Sequence, residues 1–243
     1  MNTHRSADAP PLLTLRDVHV EVAGSKILHG ISFEVAATGV TALLGRNGVG
    51  KTSTLLATMG LLPRTGEIGF DGRRIDRERT HRIVRSGIGY VPEDREVFAG
   101  LTVTENLRLA ERGPQPRYDV VYELFPELDK RGRQAAGTLS GGQQQMLALG
   151  RVLLADNRLL LVDEPTKGLA PQVVQQVAVA LERVAAHTPV LLVEQNLAVV
   201  RRLALRAVVL NQGRVVHDGD ARALLADAAL TQRLLGVSTG EAA

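Results

Sequence analysis

Gly45-Arg46-Asn47-Gly48-Val49-Gly50-Lys51-Thr52 lies between the apolar run Val40–Leu44 and a helical pattern that continues to Gly60. The letters fit G-x-x-x-x-G-K-[ST], and the strand–loop–helix setting is the one a phosphate-binding loop requires. Glycines let successive backbone N–H groups turn inward, and the following helix adds the positive end of its dipole. Lys51 is placed to reach β- and γ-phosphates, and the Thr52 hydroxyl to ligate Mg²⁺. Gly45, Arg46, Asn47, Gly48, Val49, Gly50, Lys51, Thr52 and Ser53 are therefore the candidate nucleotide contacts. The bland alternative is a Gly-rich turn, and the apolar strand and helix on either side argue against it.

Such a strand needs neighbours, and two further apolar runs, 159–162 and Val190–Val193, are likewise flanked by helical patterns. Short continuous apolar strands alternating with helices read as a parallel sheet covered on both faces. The run at 159–162 ends in Asp163-Glu164. An acid pair at a strand end is usually only a surface feature. Beside a phosphate loop, however, Asp163 can hold Mg²⁺ directly or through water, and Glu164 can polarise the attacking water as general base.

Alternating residues at 13–16 and 31–35, with 68–70 before Asp71-Gly72, predict a small antiparallel β-subdomain. From 100 to 155 the pattern turns helical: Thr102-x-x-Glu105 has the form of a capping box, and Tyr118–Leu124 and 143–154 carry helical periodicity. This predicts a helical subdomain over about residues 95–155. Pro171 is suited to open a helix reaching about His187, and Asn211-Gln212-Gly213 reads as a hairpin turn. The expected organisation is a tail at 1–11, one domain at 12–236 and a second tail at 237–243. The fold class is α/β.

Composition bounds the partners. With 44% hydrophobic and 23% charged residues the chain can bury a core, which excludes disordered and fibrous classes. Its net charge of +3 comes from bases scattered at Arg73-Arg74, Arg131, Arg133 and Arg201-Arg202, so no basic stripe for nucleic acid emerges. There is no Cys and hence no disulfide framework. No apolar run approaches the roughly 18 residues of a membrane span, and the polar start lacks the apolar region of a signal peptide. A soluble protein that meets membranes through a partner is expected.

Leu139-Ser140-Gly141-Gly142-Gln143 narrows the reading, because many proteins share the phosphate loop and the Asp-Glu pair without it. With this string the chain resembles the ABC ATPases from about residue 12 to 236. The resemblance implies a P-loop NTPase with a RecA-like parallel-sheet core, a small antiparallel β-subdomain and a helical signature subdomain, using ATP and Mg²⁺. It also implies that Ser140, Gly141, Gly142 and Gln143 open a helix whose N-terminus meets the γ-phosphate bound by the opposite subunit. Implied partners are a second ABC ATPase subunit, identical or homologous, two transmembrane permease subunits and, indirectly, a binding protein, with no nucleic acid. The implied location is cytoplasmic, peripheral on the inner face of the cell membrane.

The strings 91–98, 101–107, 168–171 and 193–196 resemble the smaller ATPase subunit of branched-chain amino acid importers. ATPases for urea or short amides and for lipopolysaccharide export share pieces of them and stay open as alternatives. So do a non-transport ABC ATPase, disfavoured by a single cassette without sustained heptads, and a non-hydrolysing regulator, disfavoured by Glu164.

Four positions depart from the general family pattern. The usual Gln near the metal is Glu93, a carboxylate that can still approach Mg²⁺ or its waters. The usual switch His is Gln195, able to donate a hydrogen bond to the γ-phosphate but unable to carry charge, so no histidine titration is expected in turnover. The usual Asp before the helix at 171 is Ala170, which leaves cross-dimer contacts to backbone, Thr166 or Lys167. The usual adenine-stacking aromatic is Val22; no aromatic precedes Ser32, and His19 is the only nearby substitute. Weak nucleotide affinity is expected.

Overall fold

The computed structural model describes residues 10–236; the outer parts of the two expected tails, 1–9 and 237–243, lie outside the described residues. Strands are β1 Leu13–Val22, β2 Ser25–Val35, β3 Val40–Leu44, β4 Arg64–Phe70, β5 Arg73–Arg74, β6 Ile88–Val91, β7 Leu159–Asp163, β8 Val190–Val193, β9 Ala204–Asn211 and β10 Arg214–Asp220. Helices are α1 Lys51–Thr58, α2 Thr80–Arg85, α3 Val103–Arg108, α4 Tyr118–Leu124, α5 Pro126–Lys130, α6 Gly141–Leu153, α7 Pro171–Ala185, α8 Leu197–Leu203, α9 Ala221–Ala226 and α10 Ala228–Leu235.

The expected parallel core is present and wider than the three runs that announced it. Its order is β10-β9-β3-β8-β7-β6, parallel from β9 to β6, with β10 antiparallel at one edge. All five residues of β3 and of β7 are buried, as are all four of β8. The two-residue side-chain period still sorts them. Val40, Ala42 and Leu44 pack towards the helical subdomain and α7, whereas Leu43 packs towards the antiparallel sheet. Leu160 and Val162 likewise face one core, and Leu159 and Leu161 the other.

The antiparallel sheet has the order β2-β1-β4-β5. β1 and β2 are longer than the alternating fragments indicated, because a bulge at Asp17 (φ 50°) shifts the register and breaks the alternation within one continuous strand. The turn between them places Ala23 and Gly24 at φ 49° and 80°, the left-handed pair that a tight hairpin requires. In the helical subdomain, α3 begins with the anticipated capping box: Thr102 Oγ1 accepts from Glu105 N–H, and Glu105 Oε2 accepts from Thr102 N–H. Helix α7 starts at Pro171 as expected and ends at Ala185, two residues short of the anticipated end. Among the described residues no helix is long and apolar enough to cross a membrane.

Candidate nucleotide site

The phosphate loop runs from the end of β3 to the start of α1. Gly45 has φ 142°, and a Cβ there would stand 2.3 Å from the Leu210 carbonyl oxygen, so the loop can leave the sheet only with glycine. Gly50 caps α1 in the left-handed region and supplies no side-chain acceptor. The first N–H groups of α1 are thus left for an anion. The Lys51 ammonium, 5% exposed, donates to the carbonyls of Gly45 (2.9 Å) and Arg46 (3.0 Å) and lies 3.8 Å from Glu164 Oε1. Burial pulls its pKa down, and the charges of Glu164 and Asp163 oppose that pull.

β7 delivers Asp163 and Glu164 beside this loop. Asp163 is fully buried, and neither carboxylate oxygen has a hydrogen-bond partner. Burial pushes its carboxyl up to about 6, with Glu93 and Glu164 adding to the shift; the nearby Thr52 hydroxyl opposes it without meeting hydrogen-bond geometry. An orphaned buried carboxylate beside a hydroxyl fits a hard cation. Among the described residues no cluster of three acidic, His or Cys side chains closes a metal cage. Mg²⁺ takes one or two carboxylates and completes its octahedron with phosphates and water. Thr52, Asp163 and the half-buried Glu93 are the residues that would hold it.

Glu164 is turned out of the strand by a left-handed backbone (φ 42°) while its N–H still donates to the Val193 carbonyl at 2.9 Å. Its side chain is 6% exposed, and Oε1 accepts from Gln195 Nε2 at 2.5 Å. Gln195 in turn is held by its neighbour. The buried Glu194 accepts from the N–H groups of Gln195 (2.8 Å) and Asn196 (2.9 Å) and from the Thr166 hydroxyl (2.7 Å). Burial raises the Glu194 carboxyl above its ordinary range in spite of those donors.

The cleft is lined by Asn47, Gly48, Gly50, Lys51, Thr52 and Ser53 of the phosphate loop, by Glu93, Glu164 and Lys167, and by Ile27 from β2; its volume is about 570 Å³. None of residues 140–143 reaches it within this chain. Ser140 is the exposed N-cap of α6: its hydroxyl accepts from Gln143 N–H (3.3 Å), and Gln143 Oε1 returns the bond to Ser140 N–H (3.0 Å). Gly142 is buried against Val173, whose Cγ1 would lie 2.6 Å from a Cβ at that position. A larger groove of about 1550 Å³ contains none of the candidate residues; of the arginines along it, Arg74 pairs with Glu67 and Asp76, Arg117 with Asp156 and Arg158 with Asp71.

Residues 28–167 match the family model described as ABC transporter, which covers more than half of the chain. The chain belongs to the ABC transporter family. This ABC ATPase is 42% identical over 217 residues to the high-affinity branched-chain amino acid transport ATP-binding protein BraG of Pseudomonas aeruginosa, covering 86% of this chain and 93% of that protein. It is 35% identical to the probable branched-chain amino acid transport ATP-binding protein LivF of Archaeoglobus fulgidus, covering 88% and 96%. A nucleotide-free ATP-binding cassette from an ABC transporter superposes with a TM-score of 0.79 at 22% identity over 94% of this chain and all of that one, which shows the fold. The expected coupling of ATP hydrolysis to transport thus belongs to this chain by family.

Of the anticipated site, the ABC ATPase brings together Lys51, Thr52, Glu93, Asp163, Glu164 and Gln195, and leaves residues 140–143 outside the cleft, Ser140 exposed and Gly142 buried. His19 does not line the cleft; its ring nitrogen is 3.0 Å from Asp17 Oδ1. None of the three Tyr and four Phe of the chain lines the cleft, and Val22 at the end of β1 is 36% exposed. Sequence reasoning missed Glu194, whose only local signal is an acid directly after a four-residue buried strand. It also missed the engagement of Lys167 with Glu93, which joins positions 74 apart.

Proposed function

We propose that this ABC ATPase powers a branched-chain amino acid importer. The 42% identity to a branched-chain amino acid transport ATP-binding protein, spread over 86% of the chain, carries the reading. It implies a second ATPase subunit, two transmembrane permeases and a separate binding protein that chooses the solute. The chain then works at the cytoplasmic face of the cell membrane.

Within the site, the loop from Gly45 to Ser53 cradles the ATP phosphates, and Lys51 exchanges its carbonyl partners for them. Thr52, Asp163 and Glu93 would hold Mg²⁺, which when bound would screen phosphate charge and polarise the γ-phosphoryl group. Glu164 accepts the proton of the attacking water, and Gln195 fixes the Glu164 carboxylate and contacts the γ-phosphate. Because residues 140–143 lie outside the cleft of their own chain, they are free to complete the cleft of a partner, so that two cassettes close head to tail around two nucleotides. The cap bonds of Ser140 and Gln143 leave α6 with an ordered N-terminus for that contact.

Deleting the gene tests the transport reading by uptake of labelled leucine. Loss of uptake that the wild-type gene restores, and that Glu164→Gln does not, is the expected result; undiminished uptake in the deletion strain overturns the reading. In the purified chain Glu164→Gln binds ATP, dimerises and releases phosphate at least about 100-fold more slowly. Wild-type turnover by that variant removes Glu164 from the role of base.

A further inference from the structure

Two carboxylates, Glu93 and Glu164, line the cleft proposed for the ATP phosphates, and the buried Asp163 lies near enough to feel the charge of both. The two lysines lining the cleft face them differently. Lys51 is occupied by the loop carbonyls, with Glu164 at 3.8 Å. Lys167 comes from the turn between β7 and α7; its ammonium is paired with Glu93 Oε1 and lies 3.7 Å from Glu164 Oε2. Its backbone is held on the N-terminal side. The Lys167 N–H donates to the Glu164 carbonyl at 3.2 Å, and the preceding Thr166, 5% exposed, is tied through its hydroxyl to Glu194.

The division of the Glu164 oxygens gives this arrangement its meaning. Gln195 and Lys51 approach Oε1, whereas Lys167 approaches Oε2. The terminal torsion of a glutamate is broad, so a carboxylate gripped at one oxygen still swings. Contacts at both oxygens fix its plane. Glu93 and Glu164 are also like charges across one cleft, and a cation between them removes the repulsion that would drive them apart.

We propose that Lys167 is a positioning residue of the hydrolytic site, its ammonium tying Glu93 to Glu164 across the cleft and holding the Glu164 carboxylate in the orientation that engages the attacking water. The inference rests on Glu164 as the base. An exposed ion pair alone contributes little. Here one ammonium, itself 56% exposed, is shared by two acids, one of them 6% exposed.

The tie is tested first without nucleotide or metal. The chain has four lysines, Lys26, Lys51, Lys130 and Lys167, so acetylation by an N-hydroxysuccinimide ester can be followed at each by mass spectrometry. Lys167 is expected to react several-fold more slowly than exposed Lys26, because its ammonium is engaged by Glu93 and Glu164, and to gain on Lys26 in Glu93→Gln. Equal rates at Lys167 in the wild type and Glu93→Gln overturn the tie to Glu93. In ATP turnover, Lys167→Met is expected to lower kcat roughly 10-fold with little change in KM, and Lys167→Arg to recover most of the loss.

A Lys167→Met variant with wild-type kcat, or one that raises KM alone, overturns the proposal, the latter by making Lys167 a phosphate ligand. If Lys167→Met fails to fold, Lys167→Arg decides: turnover as low as that of Glu164→Gln counts against positioning by charge. Wild-type turnover in Glu164→Gln instead refutes the base itself, so the two failures are separable.

Discussion

Helix α7 opens with Ala170 at its N-cap, and Ala is among the poorest residues there. The backbone at Ala170 is already extended, φ −64° and ψ 149°, as an N-cap requires, but no side chain accepts a hydrogen bond. Five other helices are capped by Thr102, Ser140, Asn196, Asp220 and Asp227. In the first turn of α7, Pro171 has no N–H, and those of Val173 and Val174 turn back to the Ala170 carbonyl at 2.9 and 3.0 Å. An Asp at the exposed position 170 would add an acceptor for the Gln172 or Val173 N–H and a negative charge at the positive end of a 15-residue helix. Ala170→Asp is expected to stabilise the isolated chain by about 1 kcal/mol from the cap and a few tenths more from the dipole. For a chain of this size that is roughly 2–4 °C in melting temperature. The assay is unfolding by urea and by heat, without nucleotide and at low protein concentration. Ala170→Ser should give the cap without the charge, and the gap between the two variants should close in about 1 M salt, where screening acts within about 3 Å. No gain in either variant refutes the reasoning, because it would mean that the first-turn donors already have partners.

Two other outcomes test the unusual positions. Val22→Tyr should tighten ATP binding at least about fivefold, the lower end of what an aromatic platform contributes, and unchanged affinity in equilibrium dialysis would show that the base lies elsewhere. For Glu194, burial raises the carboxyl, so the folded chain holds that proton more tightly than the unfolded chain does. Stability is therefore lost as pH rises from the ordinary glutamate value through the raised one, and Glu194→Gln lacks this loss. The urea midpoint of Glu194→Gln relative to wild type should rise between about pH 4.5 and pH 8; a difference independent of pH would remove the titration from Glu194.

What could be read in the sequence was chemistry that must be contiguous. A phosphate loop needs its glycines, Lys51 and Thr52 within one turn, and capping boxes need partners three residues apart, so both were legible and Thr102 with Glu105 closed as expected. The helical subdomain, the hairpin at Asn211-Gln212-Gly213 and the buried runs followed from periodicity. β6 was not anticipated: it is four residues long and contains Gly89, which is packed where a Cβ would meet Val152 at 2.6 Å and Asn157 at 2.9 Å, so close packing, not propensity, puts it in the sheet. The strand order and the bulge at Asp17 were hidden because cross-strand partners decide them. The roles of Glu194 and Lys167 were hidden for the same reason, since each acts on residues that only the folded chain brings near.

The order β9-β3-β8 bears on how the protein is made. β3, which carries the phosphate loop, ends at Leu44, yet its two sheet neighbours begin only at Val190 and Ala204. A ribosome adding about 5–20 residues per second emits β3 roughly seven to thirty seconds before β8, the first of its sheet neighbours, follows it. During that interval an apolar strand with both edges unpaired is attached to a translating ribosome. The antiparallel hairpin of β1 and β2 is synthesised before β3 and can pair locally, which makes it the first surface available to shelter the strand. Slower translation between residues 45 and 190 would lengthen the exposure, so the yield of soluble protein should depend on codon choice there more than after the start of β9 at Ala204.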